Sequence, residues 1–129
     1  MSQYPKDLQY TKEHEWIRVD GSTGVVGITS FAIEQLGDVV HLDLPKVGAK
    51  FKAGESFGTI ESTKTVSDLY MPVAGVVTEV NTALTAAPED ITQDPHGTKW
   101  LVKVTLDGSP SNLMSADQYQ KYVAEAGNH

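Results

Sequence analysis

Cysteine is absent from this 129-residue chain, which excludes disulfides, thiolate catalysis and cysteine-ligated zinc together. No apolar run approaches the roughly 20 residues that a membrane-spanning helix needs. Basic residues are few: ten Lys and Arg against seventeen Asp and Glu, for a net charge of −7. Such a surface repels phosphate backbones, which argues against nucleic acid as a partner. No basic amphipathic stretch points to a membrane. Residues 1–7 are polar, lead into no apolar segment and lack the Arg/Ser-rich character of a transit peptide, so no targeting peptide is expected. The expected location is the bacterial cytoplasm, or the mitochondrial matrix for a processed organellar chain.

What is present is an ordinary apolar share, 40%, in a length that suits one domain over residues 1–129. The core is expected over about residues 8–107. The patterning is mostly β. Trp16, Ile17 and Val19 run into the turn Asp20-Gly21-Ser22-Thr23-Gly24, and Val25, Val26 and Ile28 return from it as a hairpin. Residues 31–36 read as a short helix with Ser30 as N-cap and Gly37 ending it. Val40, Leu42 and Leu44 alternate with Val39, His41 and Asp43 as in a half-buried strand. Further strands fit residues 56–61, 65–70, 76–80 and 100–106, with Gly54, Gly58 and Gly75 marking bulges or bends. Residues 81–98 carry Pro88 and Pro95 and little periodicity, as a surface-wrapping or site-serving loop would. Ser115-Ala116-Asp117-Gln118 is a capping box, and Tyr119, Tyr122 and Val123 continue at helical spacing, so a C-terminal helix is expected over about 115–126. Many short strands with frequent turns indicate a sandwich or barrel.

Several fragments imitate catalytic motifs and fail on inspection. His14-Glu15 opens like a zinc-binding HExxH helix, but Arg18 stands where the second histidine is required. Gly58 and Lys64-Thr65 match part of a phosphate-binding loop, yet Thr63 replaces the glycine before the lysine and a strand pattern follows. Ser62 is two residues from Lys64, not the three of an acyl-enzyme Ser-x-x-Lys. His14, His41, His96 and His129 show no metal-ligand spacing. By motif, nothing marks an enzyme.

The informative stretch is residues 57–72. Two strand patterns meet at Thr63-Lys64, which places Lys64 at a hairpin tip, with Glu61 and Asp68 on either side. A tip lysine is either an ordinary solvated charge or a tether, for which its flexible stem and accessible amine are suited.

Gly58-x-Ile60-Glu61-Ser62-x-Lys64, followed by Ser67-Asp68-Leu69-Tyr70-x-Pro72-x-x-Gly75, closely resembles the lipoylation segment of the glycine cleavage system H protein family. Tyr10 to Trp16 resembles that family's opening motif. Gly27-Ile28-Thr29, Leu36-Gly37-Asp38-Val39-Val40 and Leu44-Pro45-x-Val47-Gly48 match its next segments in order. Glu79-Val80-Asn81, Leu84, Pro88, Asp94-Pro95, Gly97 and Trp100 continue the match. The resemblance runs from about residue 8 to residue 125. It implies a flattened β-barrel sandwich of the biotinyl/lipoyl-carrier type, a barrel-sandwich hybrid, with a short internal helix and a C-terminal helix.

By the same resemblance Lys64 carries lipoate in amide linkage and the chain is a monomeric carrier, not an enzyme. Its swinging arm takes an aminomethyl group from the pyridoxal-phosphate glycine decarboxylase (P protein) to the tetrahydrofolate-dependent aminomethyltransferase (T protein). Dihydrolipoamide dehydrogenase (L protein) then reoxidises it. Glu61 and Gly48 fit positions used in recognition by a lipoate ligase or lipoyl transferase. Glu13, Glu15 and Asp68 fit a cleft that receives the loaded arm, Glu15 and Asp68 better than the variable position 13. The alternative within the family is an H-like relay donating lipoate to 2-oxoacid dehydrogenases. Biotin attachment fits less well, because it favours Met on both sides of the lysine, where Thr63 and Thr65 stand. An interaction protein without cofactor would have no need of the Glu-Ser-x-Lys context. Thr65 and Val66, Thr92, His96 and Lys99 depart from the family pattern. They fall near the tip or in the long loop, so they bear on partner preference more than on lipoylation.

Overall fold

The computed structural model describes residues 4–108 and 113–126; His129 lies outside the described residues. Among the described residues, nine strands form two antiparallel sheets. The strands are β1 (Gln9–Tyr10), β2 (Glu15–Asp20), β3 (Thr23–Ile28), β4 (Val39–Asp43), β5 (Lys50–Phe51), β6 (Ser56–Ser62), β7 (Val66–Tyr70), β8 (Gly75–Val80) and β9 (Val102–Leu106). The larger sheet has the order β1-β2-β3-β9-β8-β5 and the smaller the order β4-β6-β7. Neither closes on itself, so the sandwich stays open and flattened. Helices α1 (Ser30–Leu36), α2 (Thr82–Ala86) and α3 (Ala116–Ala126) complete the fold, with a 3-10 turn at Pro88–Thr92.

Strand alternation sorts the side chains onto two sides of β2. Ile17 points between the sheets, where it meets Val26, Val77, Val102 and Val104 from the large sheet and Leu42, Ile60 and Leu69 from the small one. Trp16 points the other way, into a separate cluster with Tyr4, Leu8, Tyr10, Ala116 and Tyr119. Helix α3 therefore seals the outer face of β1 and β2. Gly27 stands opposite Trp16 in register, and a Cβ there would come within 2.5 Å of the indole. Only glycine admits the ring, whose Nε1–H donates to the carbonyls of Ile28 (3.0 Å) and Pro95 (2.8 Å).

Several expectations need correction. The N-cap of α1 is Thr29, not Ser30: the Thr29 hydroxyl accepts from the Ala32 N–H, and Ser30 is already helical. Gly37 does end that helix, at φ 85°. In β4 a bulge between Val39 and His41 breaks simple alternation, so Val39 turns inward while Val40 is left 50% exposed. Residues 81–98 are more ordered than a loop. They contain α2 and the 3-10 turn, pinned through buried Leu84 and Ile91. The two-residue strands β1 and β5 were too short to carry a periodic signal. The Ser115 capping box is present, with Gln118 N–H donating to Ser115 Oγ and Ser115 N–H donating to Gln118 Oε1.

Candidate functional site

The hairpin of β6 and β7 places Glu61 opposite Val66, leaving four residues, Ser62 to Thr65, to turn the chain. Ser62, buried, organises that turn. Its hydroxyl accepts from the Lys64 and Thr65 N–H groups, both at 3.2 Å, and its own N–H donates to the Thr65 carbonyl at 2.8 Å. Thr63 N–H donates to the Asp38 carbonyl, which ties the tip to the chain just beyond α1. Lys64 is exposed at the tip. Its stem lies over Gly37: a Cβ at that glycine would sit 3.1 Å from Lys64 Cε. The root of the side chain is thus directed along the C-terminal end of α1.

A cleft of about 140 Å³ opens beside α1 and brings Glu13 and Glu15 together with Asp68, which is distant from them in sequence. Glu13, His14 and Glu15 form one wall, Ala32, Gln35 and Leu36 of α1 another, and Ser67, Asp68 and Leu69 of β7 a third, with Ile28 and Ile60 also lining it. Asp68 and Glu13 are exposed at its rim, whereas Glu15 is only 2% exposed. A larger hollow of about 610 Å³ shares Glu13 and Glu15 and runs toward Tyr70 and Leu113. Of the two, the smaller is the one lined by α1.

Thr11 builds the acidic wall. Its hydroxyl accepts from the Glu13 and Glu15 N–H groups and donates to Glu15 Oε1 at 2.9 Å. The Tyr70 N–H donates to Glu15 Oε2 at 3.2 Å. No described cation balances this buried carboxyl, and burial pushes its pKa up to about 8, against the partial restraint of the Tyr70 and Thr11 donors. Glu15 therefore rests largely neutral near pH 7. His14 adopts φ 71°, uncommon outside glycine but more accessible to His than to most residues. Its Nδ1 is 2.8 Å from the Tyr119 hydroxyl, and burial lowers its pKa.

Among the remaining site residues, Gly48 sits exposed at φ 95° in the turn after β4, and its N–H donates to the Val77 carbonyl of the larger sheet. Glu61, half-buried, lies between His41 of β4 and Val66 of β7 in register. His96 accepts at Nε2 from the Ser30 N–H and packs edge-on to Tyr4 at 5.8 Å, so it fills an aromatic role as a satisfied structural histidine. Among the described residues no group of three metal-ligating side chains converges. Thr11, Gly37 and Tyr119 enter the site from the geometry alone. Thr11 lay inside a quoted motif without a role, Gly37 was read only as the end of a helix, and Tyr119 showed only as a residue at helical spacing.

The sequence matches the family described as Glycine cleavage H-protein over residues 8–126. A glycine cleavage system H protein of Herpetosiphon aurantiacus is 48% identical over 128 residues, covering 99% of each chain. That of Symbiobacterium thermophilum is 53% identical, covering 97% of this chain and 99% of the relative. The crystal structure of a glycine cleavage system H protein from Mycobacterium marinum superposes with a TM-score of 0.85 at 44% identity, covering 96% of this chain and 99% of that one.

Proposed function

The chain belongs to the glycine cleavage H-protein family, and on that premise we propose that it is a lipoyl-bearing shuttle whose arm is attached to Lys64. Residues 8–107 and the C-terminal helix act as one carrier domain. The observation that carries this reading is the meeting of Glu13, Glu15 and Asp68 in one cleft beside the helix end on which the Lys64 stem rests. The residues present fit the cofactor. An exposed tip lysine offers an accessible amine, and a neighbouring cleft offers both apolar walls and acids.

Lipoate in amide linkage to Lys64 would supply a dithiolane that accepts and releases a one-carbon amine and is then reoxidised. The protein's own residues present and protect it. Ser62 fixes the turn so that Lys64 meets a lipoate ligase or lipoyl transferase in one geometry, with Glu61 and Gly48 as recognition contacts. Ile28, Leu36, Ile60 and Leu69 exclude water from the cleft. Asp68 at the rim attracts an ammonium group, and Glu15 receives it. A cation entering the cleft lowers the Glu15 pKa, so that carboxyl gives up its proton and forms a charge-assisted hydrogen bond. The cargo is then held out of water between partners. Held on Lys64, the arm would be loaded by P protein, unloaded by T protein and reoxidised by L protein. Tethering raises the arm's effective concentration at each of them. The chain works as a carrier rather than an enzyme, in the bacterial cytoplasm.

The test is the intact and peptide mass of protein expressed with lipoate and a lipoate ligase, beside Lys64→Arg. A lipoyl-sized increase on the peptide containing Lys64, absent from the variant, is expected. An unmodified Lys64 under those conditions overturns the reading.

A further inference from the structure

The two main walls of the cleft belong to different parts of the chain, and one phenol touches both. Tyr119, on α3, has no exposed surface. Its hydroxyl is 2.8 Å from His14 Nδ1 and 2.7 Å from Thr29 Oγ1. His14 sits between Glu13 and Glu15 on the acidic wall. Thr29 is the N-cap of α1, whose residues Ala32, Gln35 and Leu36 form the opposite wall. We propose that Tyr119 is a positioning residue for arm binding, its hydroxyl clasping the acidic wall to α1 so that the cleft keeps its shape. This rests on the cleft receiving the loaded arm, as argued above.

One proton arrangement satisfies every group. The Thr29 hydroxyl accepts from the Ala32 N–H and donates to Tyr119 Oη, and the Tyr119 O–H donates to a bare His14 Nδ1. His14 is then neutral, with its proton on Nε2. The reverse order would leave the hydroxyl proton of Thr29, itself without exposed surface, lacking an acceptor among the described contacts. Only one backbone bond links these two segments directly here, from Thr29 N–H to the His14 carbonyl at 2.9 Å. The rest of Tyr119 is held independently. It stacks on Tyr10 at 4.8 Å and meets Tyr4 edge-on at 4.9 Å, so deleting the oxygen leaves the ring's packing in place.

The experiment compares Tyr119→Phe with the parent protein, first without lipoate and then lipoylated and loaded from glycine by a P protein. In unmodified protein, ¹⁵N spectra should show His14 as the Nε2–H tautomer, lost or mixed in the variant, and Thr29 amide exchange should accelerate. In loaded protein, release of the one-carbon amine into buffer should become about 2- to 10-fold faster, as one lost hydrogen bond implies. Lipoylation itself should not change. Tyr122→Phe, a phenol on the same helix that donates to the Lys12 carbonyl instead, should match the parent. Thr29→Val, which also removes the α1 cap, should release cargo at least as fast as Tyr119→Phe, and Thr29→Ser should match the parent, which keeps the test open if the phenylalanine variant folds poorly. Parental release from a variant whose His14 signal has changed overturns the clasp. Unchanged Thr29 exchange overturns it too. If the loaded parent already releases its cargo as fast as a free lipoamide adduct, the cleft's protective role fails instead, and Thr29 exchange alone still decides the clasp.

Discussion

Replacing Glu15 with Gln should stabilise the unloaded protein, and by an amount that grows with pH. Burial, with no described cation to offset it, pushes the Glu15 pKa up from an ordinary 4.5 to about 8 despite its two donors. Between those values the folded protein holds a proton that the unfolded chain has released. Stability is therefore full below about 4.5, falls as pH rises through the window, and levels off above about 8. Each pH unit inside the window is about 1.4 kcal/mol, so the loss is about 3 kcal/mol at pH 7 and about 5 kcal/mol in the alkaline limit. Glutamine imitates the neutral acid. Its carbonyl oxygen can still accept at this position, and no charge is left to desolvate. Glu15→Gln should thus match the parent near pH 4.5 and exceed it by about 3 kcal/mol at pH 7, roughly 10 °C in midpoint. His14 and His96, whose pKa values burial lowers, oppose this trend in acid. Both proteins carry them, so they cancel in the difference. Urea unfolding of the two proteins at pH 5, 6, 7 and 8 measures it. A gap that stays constant across the series refutes a neutral Glu15. The same variant, once loaded, should lose its cargo faster, because an amide cannot form the ion pair.

Two further substitutions probe the hairpin. Ser62→Ala removes the acceptor for both the Lys64 and Thr65 N–H groups, so it should destabilise by about 1–3 kcal/mol and slow lipoylation while leaving Lys64 chemically competent. Denaturant midpoints and ligase kinetics check both effects, and a parental rate of lipoylation would separate the turn's geometry from recognition. Gly37→Ala should cost about 1–3 kcal/mol, because φ 85° with ψ −137° is open essentially to glycine alone. It should also displace the Lys64 stem. Gly21→Ala, at φ 61° with nothing within 4 Å, controls for strain: it should lower stability less and leave lipoylation unchanged.

Much of the fold was legible because its strands are long enough to alternate. The hairpin of β2 and β3, the pairing of β6 with β7 and the capped α3 each combine a periodic run with turn or cap chemistry. What was missed has physical reasons. Strands β1 and β5 have two residues each, below any period. The bulge in β4 changes which of Val39 and Val40 faces inward, and nothing in a run of valines marks where a bulge falls. Residues 81–98 hide two short helical turns because their order comes from tertiary anchors, Leu84 and Ile91, rather than from propensity. The position of Lys64 followed from local sequence. The cleft came only through the family resemblance, since it joins three segments, and the clasp did not follow at all, since it depends on a phenol 90 residues from Thr29.

The departures from local stability rules gather in one place. Glu15 is a buried acid without a described cation, and His14 holds a left-handed backbone. Gly37 adopts a conformation open to little else, and all three border the cleft or the lysine root. Elsewhere most apolar strand residues pack inward, Val40 and Val66 being exposed exceptions, and α3 is capped. A sandwich with two well-filled cores can carry a few kcal/mol of local expense, and evolution keeps such expense where it serves a site. For a carrier the sign of the expense matters. A carboxyl that is costly to ionise in the empty cleft is stabilised when an ammonium arrives, so part of the binding energy goes into reversing that cost. The empty cleft keeps the neutral acid, and the cost of ionising it makes the loaded state less tight than a ready carboxylate would. If the cleft receives the loaded arm as proposed, this moderates the hold on a cargo that has to be passed on.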